Sequence, residues 1–170
     1  VAESATIGDP MSHDTHVGPV TTPPQYQKVL DYIDIANEDG ATCVLGGKPY
    51  SGPGAKGKQF VEPTIFNDVN NRMSIAQDEI FGPVFCAIPF DDVPDVVTQG
   101  NDSPFGLAAG VWTRDIRKAH QTADALETGP VWVNCYNAFD NASPWGGYKL
   151  SGWGREKGAY GLDLFTQVKS

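Results

Sequence analysis

Apolar side chains first recur at helical spacing after residue 22. Thr22 is a suitable N-cap, Pro23-Pro24 fits a first turn that needs no backbone N–H groups, and Gly40 supplies a stop. The residues that share the apolar face between these signals are Tyr26, Val29, Leu30 and Ile33. The pattern predicts a helix between Thr22 and Gly40, then a short strand over 41–45 and a Gly- and Pro-rich surface loop over 46–58.

Strand-like and helix-like segments alternate further along the chain. Short apolar runs predict strands, and amphipathic runs predict helices. In chain order the segments are a strand at 83–90, a helix at 92–99, a buried strand at 107–113, a helix at 115–126 and a strand at 131–134. This alternation predicts an α/β fold with a mostly parallel open sheet flanked by helices.

Residues 1–20 are polar and show no period, so we expect an extended lead-in. His13 and His16 lie within it, and we expect both side chains to be exposed. Two histidines without further ligands nearby do not predict a metal site.

Composition limits the classes of partner. The 170 residues include 21 acidic and 12 basic side chains, for a net charge of −9. Nucleic acids and anionic membranes attract clustered lysines and arginines, so neither is expected to bind. No apolar run approaches the ~20 residues of a membrane-spanning helix. Three widely spaced cysteines do not form a disulfide framework; they favour buried thiols and a reducing, cytoplasmic setting.

The segment 77–84 joins a carboxylate and an aromatic ring ahead of a turn. Gly82-Pro83 forces that turn, and in an extended chain Glu79 and Phe81 would point the same way. Such a pair can hold a ribose diol while packing against a flat heterocycle. The alternative is an exposed glutamate that precedes a core phenylalanine.

The strand predicted at 131–134 ends in polar residues. In open α/β sheets, ligands collect beyond the carboxyl ends of strands, where Asn134 would lie. Its amide could donate to an oxyanion or hold a neighbouring loop in place. Cys135 could act as a nucleophile, but the sequence offers no convincing histidine base, so we expect a buried or bystander thiol.

The segment 143–156 is rich in glycine and aromatic residues. Its glycines alternate with Trp145, Tyr148 and Trp153 without the Gly-x-Gly-x-x-Gly spacing of a dinucleotide fingerprint. We therefore expect a rigid loop that lines a pocket or an interface.

Four motifs follow one another over residues 79–156. They are Glu-Ile-Phe-Gly-Pro at 79–83, Asn-Asp-Ser-Pro-Phe-Gly-Leu-Ala-Ala-Gly-Val at 101–111, Gly-x-Val-Trp-Val-Asn at 129–134 and Pro-Trp-Gly-Gly-Tyr-Lys-x-Ser-Gly-x-Gly-Arg-Glu at 144–156. In this order they resemble the aldehyde dehydrogenase superfamily, and the resemblance covers almost the whole chain. The resemblance implies NAD- or NADP-dependent oxidation of an aldehyde to a carboxylic acid through a thiohemiacetal. It also implies a partial catalytic domain over 21–165, with residues 166–170 beginning an oligomerisation tail.

The resemblance further implies roles for individual residues. Glu79 would hold the nicotinamide ribose, and Phe81 would pack at the nicotinamide ring. Asn134 would end the core strand near the catalytic centre, and Glu156 would belong to a proton path.

The same resemblance implies an aromatic substrate tunnel. Phe139 and Trp145 would line this tunnel for the aldehyde. Trp145 stands where phenylalanine is common in the family, so it would narrow or reshape the tunnel.

Two motifs of the family are absent from these 170 residues: the Gly-Gln-x-Cys nucleophile and the Glu-Leu-Gly-Gly-Lys general base. The cofactor domain is absent as well. We therefore expect an inert fragment that binds no cofactor alone. The alternatives are a stand-alone, non-catalytic binding or assembly module, and a different thiol chemistry at Cys135. A sheet cut at one edge exposes unpaired backbone, so we expect a homo-oligomer or segments supplied by another chain.

Overall fold

The computed structural model describes residues 1–55 and 57–170. Within them lie two compact units, a first unit over Val1–Pro89 and a second over Phe90–Ser170. Lys56, part of the loop predicted over 46–58, lies outside the described residues. In the described ranges no helix combines the length and the apolar character needed to cross a membrane.

The first unit pairs one long helix with a three-stranded sheet. Its elements are α1 (Pro23–Glu38), β1 (Thr42–Leu45), β2 (Thr64–Asn67), α2 (Ser74–Gln77) and β3 (Val84–Cys86). The central strand β2 runs antiparallel to β1 and parallel to β3. Helix α1 begins as predicted, because the Thr22 hydroxyl accepts a hydrogen bond from the Gln25 N–H. Gly40 follows its last turn at φ +93°, a conformation that glycine adopts readily.

The core of the first unit is one apolar cluster that α1 shares with β2 and α2. Val29, Ile33 and Ala36 of α1 are at most 2% exposed, and Phe66 of β2 and Ile75 of α2 belong to the same cluster. Burial of each of the larger side chains contributes about 1.5–3 kcal/mol. The apolar face predicted for α1 is therefore confirmed, and it anchors the helix against the sheet.

The second unit is built around a strand–helix–strand unit. Its elements are α3 (Val93–Asn101), β4 (Phe105–Gly106), β5 (Ala109–Val111), α4 (Ile116–Ala125), β6 (Val131–Val133), β7 (Tyr148–Lys149) and a 3-10 helix (Ala159–Phe165). Strands β5 and β6 are parallel neighbours, and α4 connects them. Strands β4 and β7 form a separate antiparallel pair.

The α/β class is confirmed, but the strand pairing is mixed rather than mostly parallel. Pairs β2–β3 and β5–β6 are parallel, whereas β1–β2 and β4–β7 are antiparallel, and the described strands form three small sheets. Strands β2, β4 and β7 have four residues or fewer. The sequence pattern did not predict these three strands, whereas the equally short β1, β3, β5 and β6 lie within or beside longer apolar runs that it did detect.

The buried strand predicted at 107–113 is shorter and more exposed than expected. Strand β5 keeps three residues, and the side chains of Leu107 and Trp112 are 47% and 63% exposed. Both residues line an apolar hollow of about 820 Å³ in the second unit, together with Phe90 and Phe105. The expected burial therefore fails because Leu107 and Trp112, which flank β5, line a hollow rather than pack against other side chains.

Candidate active site

One face of α1 holds the segment Glu79–Phe81. The side-chain amide of Gln25 donates to the carbonyl oxygens of Ile80 at 2.7 Å and Phe81 at 3.2 Å. The Lys28 ammonium donates to the carbonyl oxygen of Glu79 at 2.6 Å. Gln25 and Lys28 are three residues apart and so share one helical face. All three successive carbonyls of the segment thus have partners on α1.

Tyr32 extends this contact by one further helical turn. Its hydroxyl donates to Oδ2 of Asp78 at 3.0 Å. That hydrogen bond raises the pKa of Tyr32, with smaller contributions from partial burial and from the charge of Asp78. The Lys28 ammonium lies 5.7 Å from the centre of the Tyr32 ring. The polar face formed by Gln25, Lys28 and Tyr32 therefore positions the whole stretch from Asp78 to Phe81.

The side chains of Glu79 and Phe81 are both exposed, with buried Ile80 between them. Phe81 is 72% exposed and Ile80 is 8% exposed. Phe81 has φ +55°, so the expectation of a fully extended chain is wrong at this residue. Among the described residues, no hydrogen bond or ion pair is recorded for the Glu79 carboxylate. The carboxylate and the ring are thus available to a ligand.

Gly82 lets this segment approach the helix closely. A Cβ at Gly82 would lie 2.5 Å from Cγ2 and 2.9 Å from Cγ1 of Val29, which is fully buried. Glycine is favoured here because a Cβ would overlap the buried Val29 side chain, which would then have to shift. Phe81 also lines a hollow of about 320 Å³, together with Pro83 and residues 17–21.

Asn134 ties the end of β6 to the end of β5. Its Oδ1 accepts from the Thr113 N–H at 2.9 Å, and its Nδ2 donates to the Thr113 carbonyl oxygen at 2.9 Å. Its own N–H donates to the carbonyl oxygen of Val111 at 2.9 Å. Of the two roles considered for this amide, the geometry supports the loop tie.

Phe139 and Trp145 belong to an aromatic cluster in the second unit. Their ring centres are 5.0 Å apart in an edge-to-face arrangement. Trp132 lies 5.5 Å from Phe139, 5.9 Å from Trp145 and 5.0 Å from Tyr136. The Trp132 indole N–H donates to the Ala138 carbonyl oxygen at 2.7 Å. Edge-to-face pairs of this kind are favoured by the ring quadrupoles.

Glu156 is fixed through its backbone. Its N–H donates to the Trp145 carbonyl oxygen and its carbonyl oxygen accepts from the Trp145 N–H, both at 2.7 Å. The Glu156 side chain is exposed. The structure thus brings Phe139, Trp145 and Glu156 together in the second unit, whereas Glu79 and Phe81 lie in the first.

The three cysteines differ in exposure. Cys43 and Cys86 are half-buried, and burial raises the pKa of Cys86. Cys135 is exposed, so the expectation of a buried thiol is wrong there. The reason is its place in the chain: it follows β6 and lies outside the strand pair.

Several residues at these sites carry no sequence signal of their role. Gln25, Lys28 and Tyr32 form a polar stripe at helical spacing, but that stripe does not reveal partners about fifty residues away. The sequence likewise carries no signal for the position of Lys157, whose ammonium lies 4.5 Å from the centre of the Phe139 ring.

The motifs and the α/β fold together point to one family of oxidoreductases. The chain belongs to the aldehyde dehydrogenase family, whose family model matches residues 1–170.

Individual relatives agree with this assignment. The chain is 50% identical over 169 residues to a protein named as an aldehyde dehydrogenase, DhaS of Bacillus subtilis (strain 168). The match covers 99% of this chain and 33% of DhaS. Human mitochondrial aldehyde dehydrogenase is 44% identical over 99% of this chain and 32% of its own length. The NAD⁺ complex of an aldehyde dehydrogenase from Bacillus cereus has a TM-score of 0.90 and 45% identity, covering 99% of this chain and 33% of that one. The chain therefore spans about a third of the length of these relatives.

Proposed function

We propose that this chain forms part of the catalytic domain of an NAD(P)⁺-dependent aldehyde dehydrogenase that oxidises an aldehyde to a carboxylic acid. The observation that carries the proposal is that Glu79 and Phe81 expose a carboxylate without a partner among the described residues and an aromatic ring, both on a segment whose backbone is hydrogen-bonded to α1. Family membership supports the same reaction.

The residues of the first unit fit a nicotinamide nucleotide. The carboxylate of Glu79 can accept hydrogen bonds from both hydroxyls of a ribose, as acidic residues do in other dinucleotide sites. The Phe81 ring offers an apolar surface to the flat ring next to that ribose. When bound, the nicotinamide supplies the hydride acceptor. The solved Bacillus cereus relative is an NAD⁺ complex, which supports NAD⁺ as the cofactor of the longer enzyme.

The residues of the second unit fit an aldehyde. Phe139 and Trp145 present touching rings, so they can line an apolar tunnel for the substrate. The indole of Trp145 occupies more space than a phenyl ring and would narrow that tunnel. These two positions favour an apolar or aromatic aldehyde.

Asn134 and Glu156 take supporting roles in this proposal. Asn134 holds the ends of β5 and β6 in register and so positions the residues that follow β6. Glu156 has an exposed carboxylate on a fixed backbone, so it can exchange a proton with solvent. Neither residue supplies the nucleophile.

By itself, the chain is proposed to be inactive and to bind no cofactor measurably. These 170 residues hold neither the nucleophile motif nor the general-base motif, and loss of a nucleophile typically lowers the rate a thousandfold or more. A cytoplasmic setting is proposed because the three cysteines are unpaired, as is usual in reducing compartments.

The experiment that tests the proposal is a chimera. Residues 1–170 replace the matching third of the Bacillus cereus relative, and nicotinamide reduction is followed with aliphatic and aromatic aldehydes. We expect turnover by the chimera and none by the isolated chain. Glu79→Gln should raise the KM for NAD⁺ about tenfold, because hydrogen bonds to a charged group are worth about 1.5–3 kcal/mol.

Glu38→Gln is the matched control, since Glu38 is an exposed carboxylate at the end of α1 and should leave the KM unchanged. A folded but inactive chimera would favour the alternative of a non-catalytic module. Turnover by the isolated chain that disappears on Cys135→Ala would instead establish a relocated nucleophile.

A further inference from the structure

Lys157 places a positive charge on the aromatic cluster. Its Nζ lies 4.5 Å from the centre of the Phe139 ring, which is itself 51% exposed and in edge-to-face contact with Trp145. In the part of the chain that the structure describes, no carboxylate is recorded within ion-pair distance of this ammonium. Among the described residues, the charge therefore lies against a ring face and solvent.

The backbone around Lys157 is fixed on both sides. Glu156 is paired with Trp145 through two hydrogen bonds of 2.7 Å, and the Gly158 N–H donates to the Asn141 carbonyl oxygen at 2.9 Å. The Lys157 carbonyl oxygen accepts from the Gly161 N–H at 3.1 Å. Lys157 itself has φ +60°, a conformation that residues with a Cβ adopt rarely. The neighbouring contacts thus impose the backbone conformation from which its side chain reaches the ring.

A simpler account is that the lysine stem merely covers an apolar ring, as long charged side chains often do. Two acidic residues, one next to Phe139 and one next to Lys157 in the sequence, could neutralise the ammonium and so decide between the two accounts. Asp140 follows Phe139, and its Oδ1 accepts from the Ala142 N–H at 2.7 Å, so that oxygen is engaged within its own turn. Glu156 precedes Lys157 without an ion pair to it. Among the described residues, neither of these carboxylates lies within ion-pair distance of the ammonium, so its charge remains available to a ligand on the rings.

We propose that Lys157 determines substrate charge preference: it favours aldehydes that carry an anionic group and disfavours cationic ones. This inference rests on the proposed function, in which Phe139 and Trp145 line the aldehyde tunnel. A ligand that stacks on these rings brings its distal substituent close to the Lys157 ammonium. An anionic substituent is attracted there, whereas a cationic substituent meets a like charge on a ring face that already holds a cation.

Three matched probes test the proposal on the chain as it stands: para-(hydroxymethyl)benzoate, benzyl alcohol and para-(hydroxymethyl)phenyl-trimethylammonium. Alcohols are used because aldehydes form imines with lysine amines. Binding is followed by the indole N–H signal of Trp145 in NMR titrations of isotope-labelled protein. Trp153, which is 98% exposed, serves as an internal reference.

We expect the benzoate to bind about fivefold more tightly than benzyl alcohol, because a partly exposed ion pair has an effect of about that size. The ammonium probe should bind most weakly. Lys157→Met keeps the apolar stem and should remove the difference, whereas Lys157→Arg should retain it. Lys169→Met makes the same change in net charge in the exposed tail and should leave the preference intact.

The possible failures are distinguishable. Equal binding of all three probes would overturn the charge preference while leaving the aromatic surface in place. Tightest binding of the ammonium probe would overturn it in favour of a cation-binding cluster. If none of the probes shifts the Trp145 signal, even when each is added up to its solubility limit, both this inference and the proposed substrate surface fail.

Discussion

The side-chain amide of Asn134 and the backbone of Thr113 form two hydrogen bonds of 2.9 Å each. They join the residues that follow two parallel strands, β6 and β5. Asn134 adopts φ +54°, which asparagine tolerates better than most residues with a Cβ. The Asn134 side chain thus satisfies both the N–H and the carbonyl oxygen of Thr113, and its positive φ turns the chain out of the sheet.

Substitutions at Asn134 should show how much its two hydrogen bonds to Thr113 stabilise the fold. Asn134→Ala should lower the free energy of unfolding by about 1–2 kcal/mol, because Thr113 loses both partners and alanine is strained at positive φ. Asn134→Gly loses the same hydrogen bonds without the strain and should cost less. Urea denaturation measures both values. Unchanged stability in both variants would contradict the tie.

Gly82 should not tolerate a side chain. Gly82→Ala should cost about 1–3 kcal/mol, because its Cβ would overlap Val29 in the core. The double variant Gly82→Ala/Val29→Ala should lose less stability than the sum of the losses in the two single variants. Gly18→Ala is the control, since its Cβ would meet only Pro10 at an ordinary 3.6 Å. Strict additivity in thermal or urea denaturation would argue against the contact.

The Tyr32–Asp78 hydrogen bond should be visible in alkaline titration. The raised pKa of Tyr32 means that this bond stabilises the fold fully below the ordinary tyrosine pKa of about 10 and is lost as the pH rises through the raised pKa. Asp78→Asn should shift ionisation of Tyr32 to lower pH. The measurement is phenolate absorbance, with Tyr32→Phe subtracted to isolate this residue. Asp31→Asn, an exposed change on the same helix, should have no effect.

The cysteines should alkylate in order of exposure. Cys135 is exposed, whereas Cys86 is half-buried with a raised pKa, so less of it is thiolate near neutral pH. With iodoacetamide, mass spectrometry should find Cys135 modified first and Cys86 last. Urea should abolish the difference. Faster reaction at Cys86 in the folded chain would contradict its burial.

The apolar hollow of the second unit should promote association. Its rim includes Trp112 and Phe90, which are 63% and 57% exposed. Large exposed apolar patches usually mark interaction surfaces. Sedimentation should therefore show self-association that weakens in Trp112→Ser, whereas Trp153→Ser, an equally apolar loss outside the hollow, serves as the control. A monomer at high concentration without binding of an apolar dye would contradict this expectation.

Local signals predicted part of the molecule well. Helix α1 has its N-cap at Thr22, its prolines in the first turn and its stop at Gly40, so its bounds follow from residues within the helix itself. Strand β6 and helix α4 were likewise placed by a short apolar run and by an amphipathic run after Asp115. The four motifs that resemble the family also lie along the chain and need no structure to be seen.

Long-range contacts account for what the sequence could not predict. The partners of Gln25, Lys28 and Tyr32 lie 46 to 56 residues downstream, and no local pattern specifies them. The exposure of Trp112 depends on what lies beside the residue that follows β5. The approach of Lys157 to Phe139 depends on the fold of the loop between them. The family motifs and the helix caps can be identified along the chain because those signals are local. The hydrogen-bond partners, the exposure and the charge environment of these side chains follow from packing, which brings residues that are distant in sequence into contact.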